Sequence, residues 1–349
     1  MSVDNLFASG GLKVKIMLSH RLSRHARLAL VLTLMTGCAL LSGAVQAAPP
    51  LRIGEIKIAA HPALDADQRG FAAGLASAGF KEGEQVVFDR HNAEGDPVRA
   101  EAIARKFQQD KVVLIHSIAT QASQAVVKSG SRIPVVFSSV TDPVFAGIVG
   151  DKSGIGTRTH TYVTGVSDRW PVDLQLQTYA RLLPGARDWG TIYNPAEANS
   201  VRHIEAMREA ARKLGLTLHE VTVSRGSEVS VAAERLAQKV RAIVVTSDNT
   251  TVANLDALVR VCETHKVPLF AGDIDSVERG AVAAYGMDYF LVGYAAGKKA
   301  ALILKGVKPG DIPWGPMEKF SLVINQRAAA AQGIEIPKDI LSRADRVIR

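Results

Sequence analysis

Cysteine is almost missing from this chain, with two in 349 residues, Cys38 and Cys262. A disulfide-dense secreted scaffold is thereby excluded. Aromatic residues are scarce too, at 5%, and no basic cluster is interleaved with them, so nothing points to nucleic acid. Beyond the N-terminal stretch, no apolar run reaches the roughly 18 residues that a bilayer span needs. Catalytic signatures are wanting as well. "GYAAGKK" (293–299) has the wrong spacing for a phosphate loop and no Ser or Thr after the lysine. "HEVTV" (219–223) has Val223 where a zinc-protease helix needs its second His. No G-x-S-x-G surrounds a serine, no G-x-G-x-x-G follows the first strand, and the nine His lack metal-ligand spacing. Neither an enzyme nor a metal or cofactor site is expected.

What is present suits an α/β chain: 47% apolar residues rich in Ala, Val and Leu, with 29 Gly. The length suits two lobes of roughly 120–150 residues. Residues 1–47 read as an export leader, with Arg21, Arg24 and Arg27, an apolar run from Leu28, and small residues up to Ala47. Residues 1–16 read as an upstream extension before Met17. "LMTGC" (34–38) resembles a lipoprotein box. Met35 stands where Leu is usual, and "ALLSGAVQA" is apolar where a tether is polar, so cleavage after Ala47 and lipid anchoring at Cys38 both stay open. After cleavage Cys262 alone remains, a small buried residue on a helical stretch. Five basic residues against Asp4 lie in the leader, so about half of the net charge of +8 belongs to it.

From Leu51 onward short apolar strands alternate with helices of 10–15 residues, the mark of βαβ units and a parallel sheet. Strands are predicted at "LRIGEIKIAA", "QVVFDRH", "KVVLIHS" and "IPVVFSS", and after residues 150–162 at "WGTIYN", "TLHEVTV", "RAIVVTS" and "VPLFAG". The polar, Gly-containing segment 150–162 reads as a crossing between two such halves. The expected organisation is an N-terminal lobe over 51–160, a C-terminal lobe over 161–275, a return crossing over 276–310, and a last strand with a short helical tail over 311–349. "SRIPVVFSSVTDPVFAG" and "HKVPLFAGDIDSVERG" echo one another weakly, each a short strand running into an Asp-containing polar stretch.

Ligands of open parallel sheets bind beyond the carboxyl ends of the strands. The six segments there are "HPALD", "SIATQ", "SSVTD", "NPAEANS", "SDNTT" and "GDIDS", all polar and without Arg or Lys. A phosphate or multiply acidic ligand does not fit them, and a zwitterion does. Hydroxyls of Ser117, Thr120, Ser139 and Thr141 would hold a carboxylate. Asp248, Asp273 or Asp275 would balance an ammonium. His61, Asn194, Asn199 and Asn249 complete the candidate set. Each has a plainer alternative, because Ser, Thr, Asn and Asp are the preferred helix caps. Asp142 before Pro143 reads as a cap that starts a short helix. Tyr193, Tyr285, Tyr289 and Phe145 lie near these loops as packing or as stacking partners for a ring.

"VVFSSVTDPVFAGIV", "VTGVSD", "IYNPAEANSV", "TSDNTTV", "DIDSVERGAVAAYGMDY" and "FSLVINQRAAAAQGIEIP" together resemble the ABC-transporter substrate-binding family that includes tryptophan- and tyrosine-type binding proteins. The resemblance covers Leu51 to Pro337, with Gln121 standing where relatives often carry Pro. It implies a type I periplasmic binding fold, two Rossmann-like lobes with parallel sheets and a ligand cleft between them. It further implies a monomer that closes on an amino acid, through "SIAT" and "SSVTD" in one lobe and "YNPAEANS", "SDNTT" and "GDIDS" in the other. The cargo would pass to an ABC permease in the inner membrane, with the protein periplasmic and without cofactor. A ligand-sensing receptor or regulator of the same fold is the alternative. A repressor needs an N-terminal helix-turn-helix where this chain has an export leader, and an ectodomain needs a further membrane span downstream.

Overall fold

The computed structural model describes residues 49–150 and 152–349, so the leader and Cys38 lie outside the described residues. The N-terminal lobe is built on β1 (Leu51–Lys57), β2 (Val86–Asn92), β3 (Leu114–Ile118), β4 (Val135–Ser138) and β5 (Val163–Ser167). With the two-residue β11 (Gly315–Pro316) they form one parallel sheet in the order β11-β5-β4-β3-β1-β2. The C-terminal lobe holds β6 (Asp188–Tyr193), β7 (Thr217–Thr222), β8 (Ala242–Val244), β9 (Leu269–Asp273), β10 (Ala283–Met287), β12 (Ser321–Asn325) and β13 (Arg346–Ile348). Their order is β13-β12-β10-β9-β8-β6-β7, parallel except where β12 runs against β10.

Local chemistry accounts for the elements. In β4, Val135, Val136 and Phe137 are wholly buried, as expected of a strand covered on both faces. The helix Pro97–Gln109 begins with Pro97 at its first turn and Asp96 accepting from Val98 N at 2.8 Å. It buries Ala100, Ile103, Ala104 and Phe107, the i, i+3, i+4, i+7 stripe of a helix lying on a sheet.

The chain passes between lobes three times: after β5, after β10 and after β11. The second passage is the helix Tyr289–Leu304, which lies flush against the helix Pro62–Ala76. Glycines face each other there, Gly70 and Gly74 against Gly293 and Gly297. A Cβ on Gly293 would stand 1.9 Å from the Asp67 carbonyl oxygen, and one on Gly70 2.0 Å from that of Phe290. The glycines of "GYAAGKK" therefore serve backbone-to-backbone packing.

Several sequence expectations are corrected. Residues 163–167 are the fifth strand of the first lobe, so the first crossing follows Ser167 and not residue 160. Gly165 weakens the strand pattern, and it is required because a Cβ there would meet the Phe137 carbonyl at 2.3 Å. β10 belongs to the C-terminal lobe, so the return crossing begins near 289 and not at 276. β11 returns to the first sheet inside the segment assigned to the second, and the tail ends in β13. Residues 142–149 form a turn in place of a helix, with Phe145 N on Asp142 Oδ1 at 3.0 Å.

Candidate functional site

The carboxyl ends of β1, β4 and β5 in one lobe and of β6, β8, β9 and β10 in the other lead into the cleft between the two sheets. Side-chain hydrogen bonds join its sides: His61 Nε2 to Asn249 Oδ1 at 3.3 Å, Thr141 Oγ1 to Ser247 Oγ at 3.3 Å, and Arg202 Nε to Asp142 Oδ2 at 3.1 Å. Between them lies a tight cavity with about 20 Å³ of free space, room for about one water.

The N-terminal lobe supplies His61, which follows β1 and stands before Pro62 in extended conformation. Burial holds its pKa down at about 4, so the imidazole is neutral. Ala63 and Leu64, on the next helical turn, form an apolar patch of the wall. Ser139 follows β4 with φ +54°, a left-handed conformation unusual for serine. What holds it there is Asp67. That buried carboxylate accepts from Ser138 Oγ at 2.9 Å and from Ser139 Oγ. Burial raises Asp67 to about 6, opposed by nearby His116. His116 in turn sits 3.0 Å from Glu55 Oε2 and stacks on Phe71 at 3.6 Å.

The crossing segments add a second carboxylate. Asp168 accepts from Thr141 Oγ1 at 3.1 Å and from Tyr289 Oη at 2.6 Å, while Trp170 Nε1 donates to Tyr289 Oη at 3.3 Å. Asp168 is 2% exposed, and burial pushes it up to about 6. Burial and the adjoining Asp168 drive the Tyr289 phenol well above its ordinary value.

The C-terminal lobe faces these groups with Asn199, Ser247, Asn249, Val252 and Asp273. Behind them Glu197, 1% exposed, accepts from the side chains of Asn199 and Asn249 and from Thr250 Oγ1. His203 Nδ1 lies 2.6 Å from Ser247 Oγ, and burial lowers its pKa to about 3.

Of the candidate ligand-binding residues, His61, Ser139, Thr141, Asn199, Asn249 and Asp273 line this cavity, and so does Tyr289, read from sequence as packing or a stacking partner. Five others do not. Ser117 is turned inward onto Ser123 at 2.8 Å. Thr120 is buried at the start of its helix, with its hydroxyl unpartnered and off the cavity. Asn194 folds back on Thr250 Oγ1 at 3.1 Å. Asp248 is fully buried and caps the helix Asn249–Ala253, accepting from Thr251 N and Asn194 N at 2.7 Å each and from Ser200 Oγ at 2.6 Å. With those bonds made, it is not placed to meet an ammonium. Its pKa rises to about 7 from burial first and the nearby Glu197 carboxylate second. Asp275 stands in the short helix Asp275–Glu278 outside the wall, raised to about 7 by burial and by Asp273, Asp288 and Glu278. Asp273, although on the wall, already accepts from Ser276 N and Oγ at 2.7 Å each. Asp142 caps its turn and meets Arg202, and Tyr193 and Tyr285 pack elsewhere.

Asp168, Trp170, Ser247, Val252 and Glu197 went unread as site residues. The segment "VTGVSDRW" carried a signal, since it too is a strand end, once β5 is recognised as a strand. Among the described residues no group of three or more His, Cys, Asp or Glu is placed to hold a metal ion.

A hinged pair of parallel-sheet lobes with three crossings and a buried, strand-end cavity between them defines a type I periplasmic binding fold. The family model described as ABC transporter substrate binding protein matches residues 52–348, and the chain belongs to that family. It is 34% identical over 274 residues to the tyrosine-binding protein of Clostridioides difficile, covering 78% of each. A solved conserved domain protein from Vibrio cholerae superposes with a TM-score of 0.82 at 35% identity, covering 86% of this chain and all of that one. The ABC domain of Streptococcus pneumoniae, solved in complex with L-Trp, superposes with a TM-score of 0.81 at 32% identity and the same coverages.

Proposed function

We propose that this protein is the extracytoplasmic binding component of an ABC importer and that its cargo is an aromatic L-amino acid. The observation that carries the reading is the character of the cavity lining: two buried carboxylates, Asp168 and Asp273, together with the apolar side chains of Ala63, Leu64 and Val252. Asp168 spends two hydrogen bonds on Thr141 and Tyr289 and keeps acceptor capacity for an ammonium. Ala63, Leu64 and Val252 receive the ring, beside Trp170. His61, Ser139, Thr141, Asn199, Asn249 and Asp273 complete the wall. The free space between the lobes, about 20 Å³, is far below the roughly 300–1,000 Å³ usual for small-molecule sites, so an amino acid enters once the lobes part. The named cargoes of the relatives, tyrosine and L-Trp, agree with that chemistry. Export through the leader, a periplasmic place, a monomeric state and delivery to an inner-membrane permease complete the proposal. Ligand bridging the lobes stabilises the closed form that a permease recognises.

The test is a thermal-shift and calorimetric panel of all common L-amino acids on protein freed of carried-over ligand by unfolding and refolding. One aromatic amino acid, bound one per chain, should raise the melting temperature through preferential binding to the folded state. A panel without any shift would sink the assignment.

A further inference from the structure

Two polar atoms on the cavity residues are buried without a partner, His61 Nδ1 and Asn199 Oδ1. Both owe their character to one residue behind the wall. Glu197 accepts from Asn199 Nδ2 at 3.0 Å, Asn249 N at 3.0 Å, Asn249 Nδ2 at 2.8 Å, Thr250 N at 2.9 Å and Thr250 Oγ1 at 2.7 Å. Five donors around one carboxyl group suit a carboxylate, which only accepts. Neither amide can turn over without setting its oxygen against that carboxylate. Asn199 Nδ2 is held further by the Ser247 carbonyl at 2.8 Å, so Asn199 Oδ1 is left over. Asn249 Oδ1 is left to face His61 Nε2 at 3.3 Å, which must then carry the proton. The neutral imidazole presents a bare lone pair at Nδ1.

We propose that Glu197 is a positioning residue that sets the polarity of this wall: by orienting two amides and one histidine tautomer it leaves Asn199 Oδ1 and His61 Nδ1 as acceptors without a donor of their own. Resting on the amino-acid reading above, the proposal assigns to Glu197 the selection of a ligand bearing an ammonium over the same acid without one. A buried acceptor facing a group that cannot donate loses its water and gains nothing in return.

The alternative is that Glu197 merely caps the short helix Asn249–Ala253. A cap acts alike on every ligand, whereas a polarity-setting group does not. The experiment compares affinities by calorimetry for L-tryptophan and L-tyrosine against 3-(indol-3-yl)propionate and 3-(4-hydroxyphenyl)propionate, on wild type, Glu197→Gln and Asn199→Ala. The glutamine has one acceptor where five donors converge, so the amides are released. The preference for the amino acid over its des-amino partner should fall at least tenfold in Glu197→Gln, and in Asn199→Ala if the first variant does not fold. An equal loss for both ligand classes would overturn the proposal. So would an unchanged preference, and neither result would touch the amino-acid reading, which fails if wild type binds no aromatic amino acid. A ligand-free readout stands apart from all of these. The ¹⁵N shifts of the His61 ring, assigned by loss of signal in His61→Gln, should report the Nε2–H tautomer in wild type and a changed tautomer balance in Glu197→Gln. An Nδ1–H ring in wild type would refute the inference outright.

Discussion

Replacing Asp168 by Asn should make the empty protein more stable and the binding protein worse. In the folded chain the Asp168 carboxyl is raised by burial from 3.8 to about 6, partly offset by the hydroxyls of Tyr289 and Thr141. At about 1.4 kcal/mol for each pH unit, keeping it ionised at neutral pH costs the fold roughly 3 kcal/mol relative to its neutral form. The sign follows from proton uptake. Between about pH 4 and 6 the folded state binds a proton that the unfolded state has lost, so stability from this group is present at low pH and is lost as pH rises through 6. Asparagine keeps an acceptor and carries no charge. Urea unfolding should therefore find Asp168→Asn close to wild type at pH 4 and more stable by an amount approaching 3 kcal/mol above pH 7. Binding should move the other way. A hydrogen bond between charged groups contributes roughly 1.5–3 kcal/mol, so affinity for the amino acid should drop roughly 10- to 150-fold. A variant no more stable than wild type at pH 7.5, or one that binds the cargo unchanged, would refute the reasoning.

Other outcomes are equally open to measurement. Gly293→Ala sets a methyl group 1.9 Å from the Asp67 carbonyl oxygen. The two helices must part, and thermal unfolding should show a loss of about 1–3 kcal/mol or more, while an unperturbed melting curve would deny the close packing. His203 is buried with its pKa lowered to about 3. Its contribution is present above the unfolded value near 6.5 and is lost as pH falls, so the stability difference between wild type and His203→Asn should shrink by about 1.4 kcal/mol per pH unit below 6. A pH-independent difference would place an exposed imidazole there. Cys262 is wholly buried, and burial pushes its thiol up to about 12. It should resist thiol reagents in the native protein and react once in urea; fast native labelling would contradict that placement.

The alternation of strand and helix was legible because it is local. Hydrophobic periods of 2 and 3.6 are written over a few residues, as in Val135–Phe137 and in Ala100, Ile103, Ala104 and Phe107. Strand ends could be located, and with them His61, Ser139, Thr141, Asn199, Asn249 and Asp273. The misreadings have a common cause. β5 and β11 depend on neighbours distant in sequence, and Gly165 hides the former. Asp168 sits on a crossing, which no local period identifies. Asp248, Asn194 and Ser117 looked like free polar groups, because a sequence does not tell which donors will already be spent.

The sequence by itself determined the class of fold, the ends of the strands and the polar stock gathered there. Only the tertiary structure decided which of those groups remain unspent. Asp248 is used up by Thr251, Asn194 and Ser200, whereas Asp168 keeps room for a ligand. Glu197, which nothing local distinguishes from a surface acid, becomes the group that orients two amides and a histidine, since hydrogen-bond satisfaction belongs to the three-dimensional neighbourhood and not to the residue.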